Sequence, residues 1–165
     1  IKGDIGEKAF CDAAVEKVLK EFGYLNILVN NAAEQHVQER LEDIPEDQVR
    51  RTFDTNFFGA FFLSQAALKF LGKDDCIINT TSVVAYRGND VLMDYAASKG
   101  AIDTFTLGLA REVATEGIRV NGVRPGIIDT EIHASGGEPD RVAKMRDAVP
   151  SNRVCSAIDV AEAIL

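Results

Sequence analysis

The sequence predicts an α/β fold, a doubly wound parallel sheet in three α/β/α layers. The first observation is that segments with helical periodicity alternate with short apolar runs along the chain. The second is that the connections between them are short, an order that favours parallel strands joined by helical crossovers. The third is that the polar motifs "NNAA", "TTSVV" and "RPGIIDT" follow the three apolar runs. Ligands bind beyond the carboxyl ends of such strands, so a binding site is expected there.

The first half of the chain supplies two helices and a strand. Apolar residues recur at steps of three and four from Gly6 to Phe22, which predicts an amphipathic helix, and Gly23 suits its end. The short apolar run "LNILVN" at residues 25–30 predicts a buried strand. A long helix is predicted from about Pro45, a residue suited to a first turn, to about Leu71.

The next three elements are a strand, a helix and a strand, which continue the alternation. The apolar run "CIINTTS" at residues 76–82 predicts a second strand. A helix is predicted from Leu92 to Glu116, where Gly117 ends it. The run "IRVNGV" at residues 118–123 predicts a third strand, which stops at Pro125 and Gly126.

The last part of the chain is predicted to be a loop and two helices. Glycines and a proline at residues 127–140 indicate a loop, followed by a short helix from Arg141 to Ala148 and another helix starting near Ser156. The chain begins without methionine and stops inside the apparent helix "DVAEAIL". Residues 1–165 are therefore expected to be one domain of a longer protein, truncated at both ends.

Composition excludes several classes of function. A hydrophobic fraction of 46% is enough for a core, while the net charge of −8 argues against nucleic acids or anionic membranes as partners. No apolar run reaches the roughly 20 residues of a membrane span. The three cysteines are widely separated and lack metal-ligand spacing, so we predict reduced thiols, a cytoplasmic location and no metal site.

Four polar residues stand at fixed distances around the motif "MDYAASKGA". Tyr95 and Lys99 are four residues apart, which places both on one face of a helix. Ser82 ends the second predicted strand, 13 residues before Tyr95, and Asn56 lies inside the preceding long helix. Carbonyl reduction needs a proton donor at the substrate oxygen, and a nearby ammonium is expected to lower the pKa of the Tyr95 phenol. The four residues together predict general acid/base chemistry.

These motifs resemble those of the classical short-chain dehydrogenase/reductase family along nearly the whole chain. The matching segments are "NNAA", "DTNFFGAFF", "NTTSVVAY", "YAASK", "GIRVNGVRPG" and "IIDT". The resemblance implies a Rossmann-like domain that transfers a hydride between NAD or NADP and an alcohol or carbonyl substrate, of the sugar, aldehyde or 3-oxoacyl type. Within the family, the chain most resembles bacterial sugar reductases and 3-oxoacyl-carrier reductases.

The resemblance also implies roles for individual residues. Tyr95 would be the acid/base, Lys99 would hold the ribose, Ser82 would bond the substrate oxygen, and Asn56 would help hold a water in a proton relay. The residues implied to bind the cofactor are Asp4, Ile5, Asn31, Ala32, Ala33, Tyr95, Lys99, Pro125, Gly126, Ile128 and Thr130. Alanine stands at position 33 where the family usually has glycine. The methyl group of this alanine requires a backbone φ that is not positive. The family's glycine-rich phosphate loop and its second strand, which selects NAD or NADP, are expected before Ile1.

Other interpretations remain open for several residues and for the function. A surface cap is the alternative for Asp4, and His36 and His133 are expected to be exposed bystanders. A dinucleotide sensor or scaffold without catalysis is the alternative function, and a sugar-nucleotide epimerase or dehydratase is a third. The helices near 45–71 and 92–116 carry more apolar residues than one sheet contact uses, and the family pairs these helices. We therefore expect a homodimer or homotetramer.

Overall fold

The structure, a computed structural model, describes residues 1–165 and contains a parallel sheet flanked by helices. The five strands are β1 (Ile27–Asn30), β2 (Cys76–Thr80), β3 (Arg119–Val123), β4 (Ile128–Asp129) and β5 (Cys155–Ser156). The eight α-helices are α1 (Lys8–Phe22), α2 (Glu46–Phe53), α3 (Gly59–Ala67), α4 (Val84–Arg87), α5 (Met93–Glu112), α6 (Ile132–Ser135), α7 (Arg141–Met145) and α8 (Ala157–Ile164). Strands β1, β2 and β3 pair in that order and all run parallel. The predicted α/β fold is confirmed. The prediction that the strand at residues 25–30 is buried is wrong, because β1 is an edge strand in which Ile27 and Val29 are exposed.

One face of the main sheet packs against α3 and α5. Ile77 and Val120 are partners in register, and both belong to the buried core on this face. Residues of α3 and α5, including Ala67 and Leu109, complete that core. Because side chains alternate along a strand, the residues on either side of these two point to the opposite face.

The opposite face carries α8. Val29 of β1 shares a cavity with Val160 and Ile164 of that helix. Ser156 caps the first turn of α8, since its hydroxyl accepts from the backbone N–H of Asp159 while the Asp159 carboxylate accepts from the backbone of Ser156. Helices on both faces give the three layers that the sequence predicts.

The long helix predicted at residues 45–71 contains a distortion at its centre. Between α2 and α3, residues Asp54–Phe58 form a π-helical turn, in which the backbone N–H of Gly59 reaches back five residues to Asp54. One extra residue in the turn rotates the side chains that follow relative to those before it. Asn56 lies at the centre of this turn and is fully buried.

The prediction of a loop at residues 127–140 is wrong in part. It holds β4 and α6, and β4 pairs in parallel with β5 through Ile128 and Cys155. Short 3₁₀ turns at Leu41–Asp43, Ala114–Glu116 and Arg146–Ala148 extend or precede helices, and α4 was not predicted. These pieces are too short to produce a periodic pattern in the sequence.

A chain of buried amides lies beneath the carboxyl end of the sheet. Asn30 donates to Asn79 Oδ1 at 2.9 Å and to Ser64 Oγ at 3.1 Å, and Asn79 donates to Thr106 Oγ1 at 2.9 Å. These bonds tie β1 and β2 to α3 and α5 at the level where the polar motifs begin. None of the helices combines the length and apolar character needed to cross a bilayer.

Candidate active site

A cavity of about 910 Å³ opens beyond the carboxyl ends of the three main strands. Tyr95, Lys99 and Ser82 line it. The predicted cofactor residues that also line it are Asn31, Ala32, Ala33, Pro125, Gly126, Ile128 and Thr130. The backbone φ of Ala33 is not positive, so its methyl group is accommodated without strain. Residues from all three strand ends therefore meet in one place.

Lys99 is the most deeply buried charged residue of this cavity. Its side chain, 2% exposed, donates from Nζ to the backbone carbonyl of Thr80 at 2.8 Å. The ammonium nitrogen lies 5.6 Å from the centre of the Tyr95 ring, one helical turn away on α5. Burial lowers the pKa of Lys99 to about 8, because the charged form loses its hydration.

The pKa of the Tyr95 phenol is raised, and the expected lowering by Lys99 is wrong for this structure. Burial is the dominant cause, because the phenolate is the form that loses most from desolvation. The Ser82 hydroxyl and the positive charge of Arg141 act in the opposite direction and lower this pKa. Spacing in the sequence predicts the proximity of Lys99 but not the loss of water around both groups.

Ser82 lies two residues after the end of β2 and is buried. Its Oγ accepts a long hydrogen bond of 3.3 Å from the backbone N–H of Val84, at the start of α4. This bond fixes the orientation of the hydroxyl near the carboxyl end of β2. Ser82 and Tyr95 line the same cavity, so both residues border the space where a substrate would bind.

Asn56 lies behind the cavity, and its amide is bonded to protein groups. Its Oδ1 accepts from the backbone N–H of Glu34 at 2.8 Å, and its Nδ2 donates to the carbonyl of Glu34 at 2.9 Å. The same Nδ2 donates to Ser98 Oγ at 3.0 Å, and that hydroxyl donates to the backbone carbonyl of Tyr95 at 2.7 Å. The π-helical turn is thereby connected to the helical turn that carries Tyr95.

Asp94 is a buried carboxylate beside Tyr95 that sequence reasoning missed. Its Oδ2 accepts from Thr52 Oγ1 at 2.9 Å and from Gln48 Nε2 at 3.1 Å, both on α2. Its Oδ1 accepts from the backbone N–H of Tyr95 at 2.8 Å, in the first turn of α5. Three hydrogen bonds and the positive end of the helix satisfy this charge. The contact holds the start of α5 against α2.

The two histidines have different surroundings. His133 is 7% exposed, so the expectation that it is an exposed bystander is wrong. Its Nε2 lies 2.9 Å from the carbonyl of Ile128, and its Nδ1 lies 3.4 Å from Gln35 Nε2. Because a carbonyl only accepts, Nε2 carries the hydrogen. His36 is half-buried and faces Glu34 and Arg51 instead.

Arg141 is the other cavity residue that the sequence does not reveal. It is 8% exposed, on α7, and pairs with Glu138 through Nη1. An arginine at the start of a short helix carries no signal of its own, since most such arginines are solvated. Its burial follows from the packing of the 127–148 segment over the strand ends.

Asp4 and Ile5 do not line the cavity, so the structure does not bring these two predicted cofactor residues to the others. Asp4 is exposed, and its Oδ1 accepts from the backbone N–H of Gly6 at 2.8 Å, as in the alternative of a surface cap. Ile5 packs against Gly59 of α3, so closely that its side-chain carbons lie 2.6 Å from where a Cβ would stand.

Comparison with known proteins gives consistent matches over the whole chain. The sequence profile of the family described as enoyl-(acyl carrier protein) reductase matches residues 1–165. General stress protein 39 of Bacillus subtilis is 47% identical over 93% of the chain and 54% of its own length. NADPH-dependent aldehyde reductase 1 of Arabidopsis thaliana is 44% identical over 98% of the chain and 56% of its own length. The chain thus spans about half the length of the curated relatives it matches.

A solved structure has the same fold. The crystal structure of a short chain dehydrogenase from Burkholderia cenocepacia, in complex with NADP, superposes with a TM-score of 0.91 at 34% identity. The match covers 99% of this chain and 66% of that one.

Proposed function

The chain belongs to the short-chain dehydrogenase/reductase family, and we propose that the complete protein transfers a hydride between NAD or NADP and an alcohol or carbonyl compound. The observation that carries the proposal is the single cavity shared by Ser82, Tyr95 and Lys99 at the ends of parallel strands. We propose polar carbonyl compounds as substrates, of the sugar, aldehyde or 3-oxoacyl type. The relative named as an aldehyde reductase supports this range.

The small residues of the cavity wall fit a nicotinamide dinucleotide. Ala32, Ala33 and Gly126 let the backbone approach a ligand closely, and a Cβ added to Gly126 would meet no atom within 4 Å. Asn31 is held at this wall by Thr80, whose hydroxyl donates to Asn31 Oδ1 at 3.1 Å. Ile128 and Thr130 would hold the nicotinamide end, and Lys99 would bond the ribose hydroxyls. When bound, the dinucleotide supplies or accepts the hydride.

Tyr95 suits the role of a proton donor during carbonyl reduction. Its raised pKa keeps the phenol protonated at neutral pH, so a hydrogen is available for the substrate oxygen as negative charge develops there. Ser82 would donate a second hydrogen bond to that oxygen. In the reverse direction the positive charge of Arg141 would stabilise the phenolate as it forms.

For Asn56 the contacts support a positioning role. Both amide hydrogens and one acceptor site of Oδ1 are bonded to Glu34 and Ser98, so the side chain has little capacity left to hold a relay water. Through Ser98 the residue also fixes the backbone of Tyr95.

Ser82→Ala in the complete protein tests the proposal. Loss of one hydrogen bond to the developing oxyanion should lower kcat by about 10²–10³-fold, because that bond is made mainly in the transition state. Oxidation of NADH and NADPH would be followed against a panel of aldehydes, ketoses and 3-oxoacyl esters, alongside calorimetric binding of each dinucleotide. Ser135→Ala, on the exposed face of α6, is the control.

The second candidate is a dinucleotide sensor or scaffold without catalysis. It would bind NADH or NADPH in the calorimeter and turn over no compound of the panel. The presence of a Ser82–Tyr95 pair favours the enzyme, since binding alone needs neither hydroxyl. An epimerase or dehydratase would convert a sugar nucleotide without net consumption of dinucleotide, so product analysis after incubation with a sugar nucleotide separates it from both.

We propose that the complete protein forms a homodimer or homotetramer through the helices near 45–71 and 92–116. Phe61, which is 37% exposed on α3, lies 5.3 Å from Phe105 of α5, measured between ring centres. Phe58, Phe57 and Phe62 continue this aromatic surface. Such a surface is stable in water when a symmetric copy covers it.

Phe61→Glu should convert the assembly to a monomer, because a carboxylate at its centre would be buried without a partner. Sedimentation velocity at micromolar concentration measures the change. Phe22→Glu, at the 67%-exposed end of α1, is the matched control and should keep the assembly. A wild-type monomer, or an unchanged mass for Phe61→Glu, would contradict the proposed interface.

A cytoplasmic location is also proposed. Cys11, Cys76 and Cys155 are all free thiols, and the first two are buried. Unpaired cysteines are typical of proteins in reducing compartments.

A further inference from the structure

Arg141 is a buried guanidinium with unused donors in the candidate active site. It lines the same cavity as Tyr95 and Ser82 and is 8% exposed. Its only side-chain hydrogen bond runs from Nη1 to Glu138, three residues earlier. Nε and Nη2 make no hydrogen bond within the protein, and neither nitrogen is completely buried. A guanidinium carries five N–H donors, and most of these are free here.

The charge of Arg141 lies in the same cavity as the groups proposed to react. Arg141 and Tyr95 line the same cavity, and the positive charge of Arg141 acts to lower the pKa of the phenol. The cavity wall also holds Asp129 and Glu131, but both of these residues are exposed and only Glu138 pairs with Arg141. A small substrate with its carbonyl at Tyr95 would extend toward the free edge of Arg141.

We infer that Arg141 binds a carboxylate or phosphate group of the substrate, which makes the enzyme selective for negatively charged carbonyl compounds. The planar fork of Nε and Nη2 matches two oxygens of either anion, and such charge-assisted pairs are strong when water is excluded. Glu138 holds the guanidinium from its other side and leaves this edge open. The inference rests on the proposed function, because it assigns the substrate class of that same site.

Matched pairs of substrates test the inference in the complete protein. Succinic semialdehyde is compared with butanal for the carboxylate, and glyceraldehyde 3-phosphate with glyceraldehyde for the phosphate. We expect kcat/KM to be about 10- to 100-fold higher for the charged member of at least one pair, the range of a charge-assisted hydrogen bond. Which pair shows the preference identifies the anion.

Arg141→Gln should reduce that preference to near one, because the neutral side chain loses the charge-assisted bonds to the anion. Any effect of the variant on proton transfer at Tyr95 is common to both members of a pair and cancels in the ratio. Glu138→Gln removes the same ion pair but keeps the guanidinium, so it should retain the preference. Calorimetric binding of succinate and of inorganic phosphate, with NADP saturating, gives a readout independent of turnover. The Arg141→Gln variant should weaken binding of the preferred anion at least tenfold.

The outcomes separate the two proposals. Equal kcat/KM within both pairs, or a preference that survives Arg141→Gln, would overturn the anion site and leave hydride transfer standing. Absence of any carbonyl reduction, together with anion binding that depends on Arg141, would overturn the proposed activity and support the anion site.

Discussion

Tyr95→Phe in the complete protein is expected to lower turnover by about 10²–10⁴-fold, the usual contribution of a general acid. The substitution removes only the hydroxyl and keeps the ring in its half-buried place on α5. Affinity for NADPH or NADH should stay within a factor of about two, because Lys99 and the other wall residues proposed to hold the dinucleotide are unchanged. The measurement is steady-state kinetics with the best aldehyde of the panel, together with calorimetric binding of the dinucleotide.

Tyr86→Phe is the matched control for this substitution. Tyr86 lies on α4, four residues after Ser82, and is 64% exposed. The Tyr86→Phe variant should keep wild-type turnover. A loss of turnover in both variants would indicate a general effect of removing phenols near α4. Full activity of Tyr95→Phe would remove Tyr95 from the mechanism.

Lys99→Met is expected to abolish most turnover and at the same time to stabilise the folded protein. Burial lowers the pKa of Lys99 from 10.5 to about 8, so near pH 7 the folded state holds a charge that it disfavours. Methionine fills the same volume without that charge and loses the bond to Thr80. The free energy of unfolding should rise by about 2 kcal/mol at pH 7, after subtraction of that hydrogen bond.

The pH dependence gives this prediction a definite sign. The folded state binds the Lys99 proton more weakly than the unfolded chain does. The destabilisation of the folded state is therefore fully present below pH 8 and decreases as the pH approaches 10.5. The stability gained by Lys99→Met should therefore shrink between pH 7 and pH 10 in urea unfolding. Lys20→Met, on the exposed side of α1, is the control and should show no such trend. A less stable Lys99→Met variant at pH 7 would contradict the account.

Much of the fold and the polar centre of the site could be predicted from the sequence. Apolar runs such as the one at Ile77 identify buried parallel strands, and parallel strands bring their carboxyl ends to one edge. Ser82 and Asn31 follow two such runs, so their meeting in one cavity follows from topology. Helical spacing likewise places Tyr95 and Lys99 on one face.

What could not be predicted depends on packing between distant segments. The pairing of Ile128 with Cys155 joins two-residue strands far apart in the chain, which have no periodicity to detect. The burial of His133 and Arg141 arises from the same packing. The raised pKa of Tyr95 is a third case, because spacing predicts which charges are near but not how much water each group loses.

The most direct test of the central claim is isotope transfer by the complete protein. Reduction of the best aldehyde of the panel is run with NADPH or NADH deuterated at the hydride-donating carbon, and the alcohol is analysed by mass spectrometry. The account predicts one deuterium on the former carbonyl carbon in the wild type and essentially none, over the same time, with Tyr95→Phe. A wild-type protein that binds the dinucleotide yet transfers no deuterium to any carbonyl compound would contradict it.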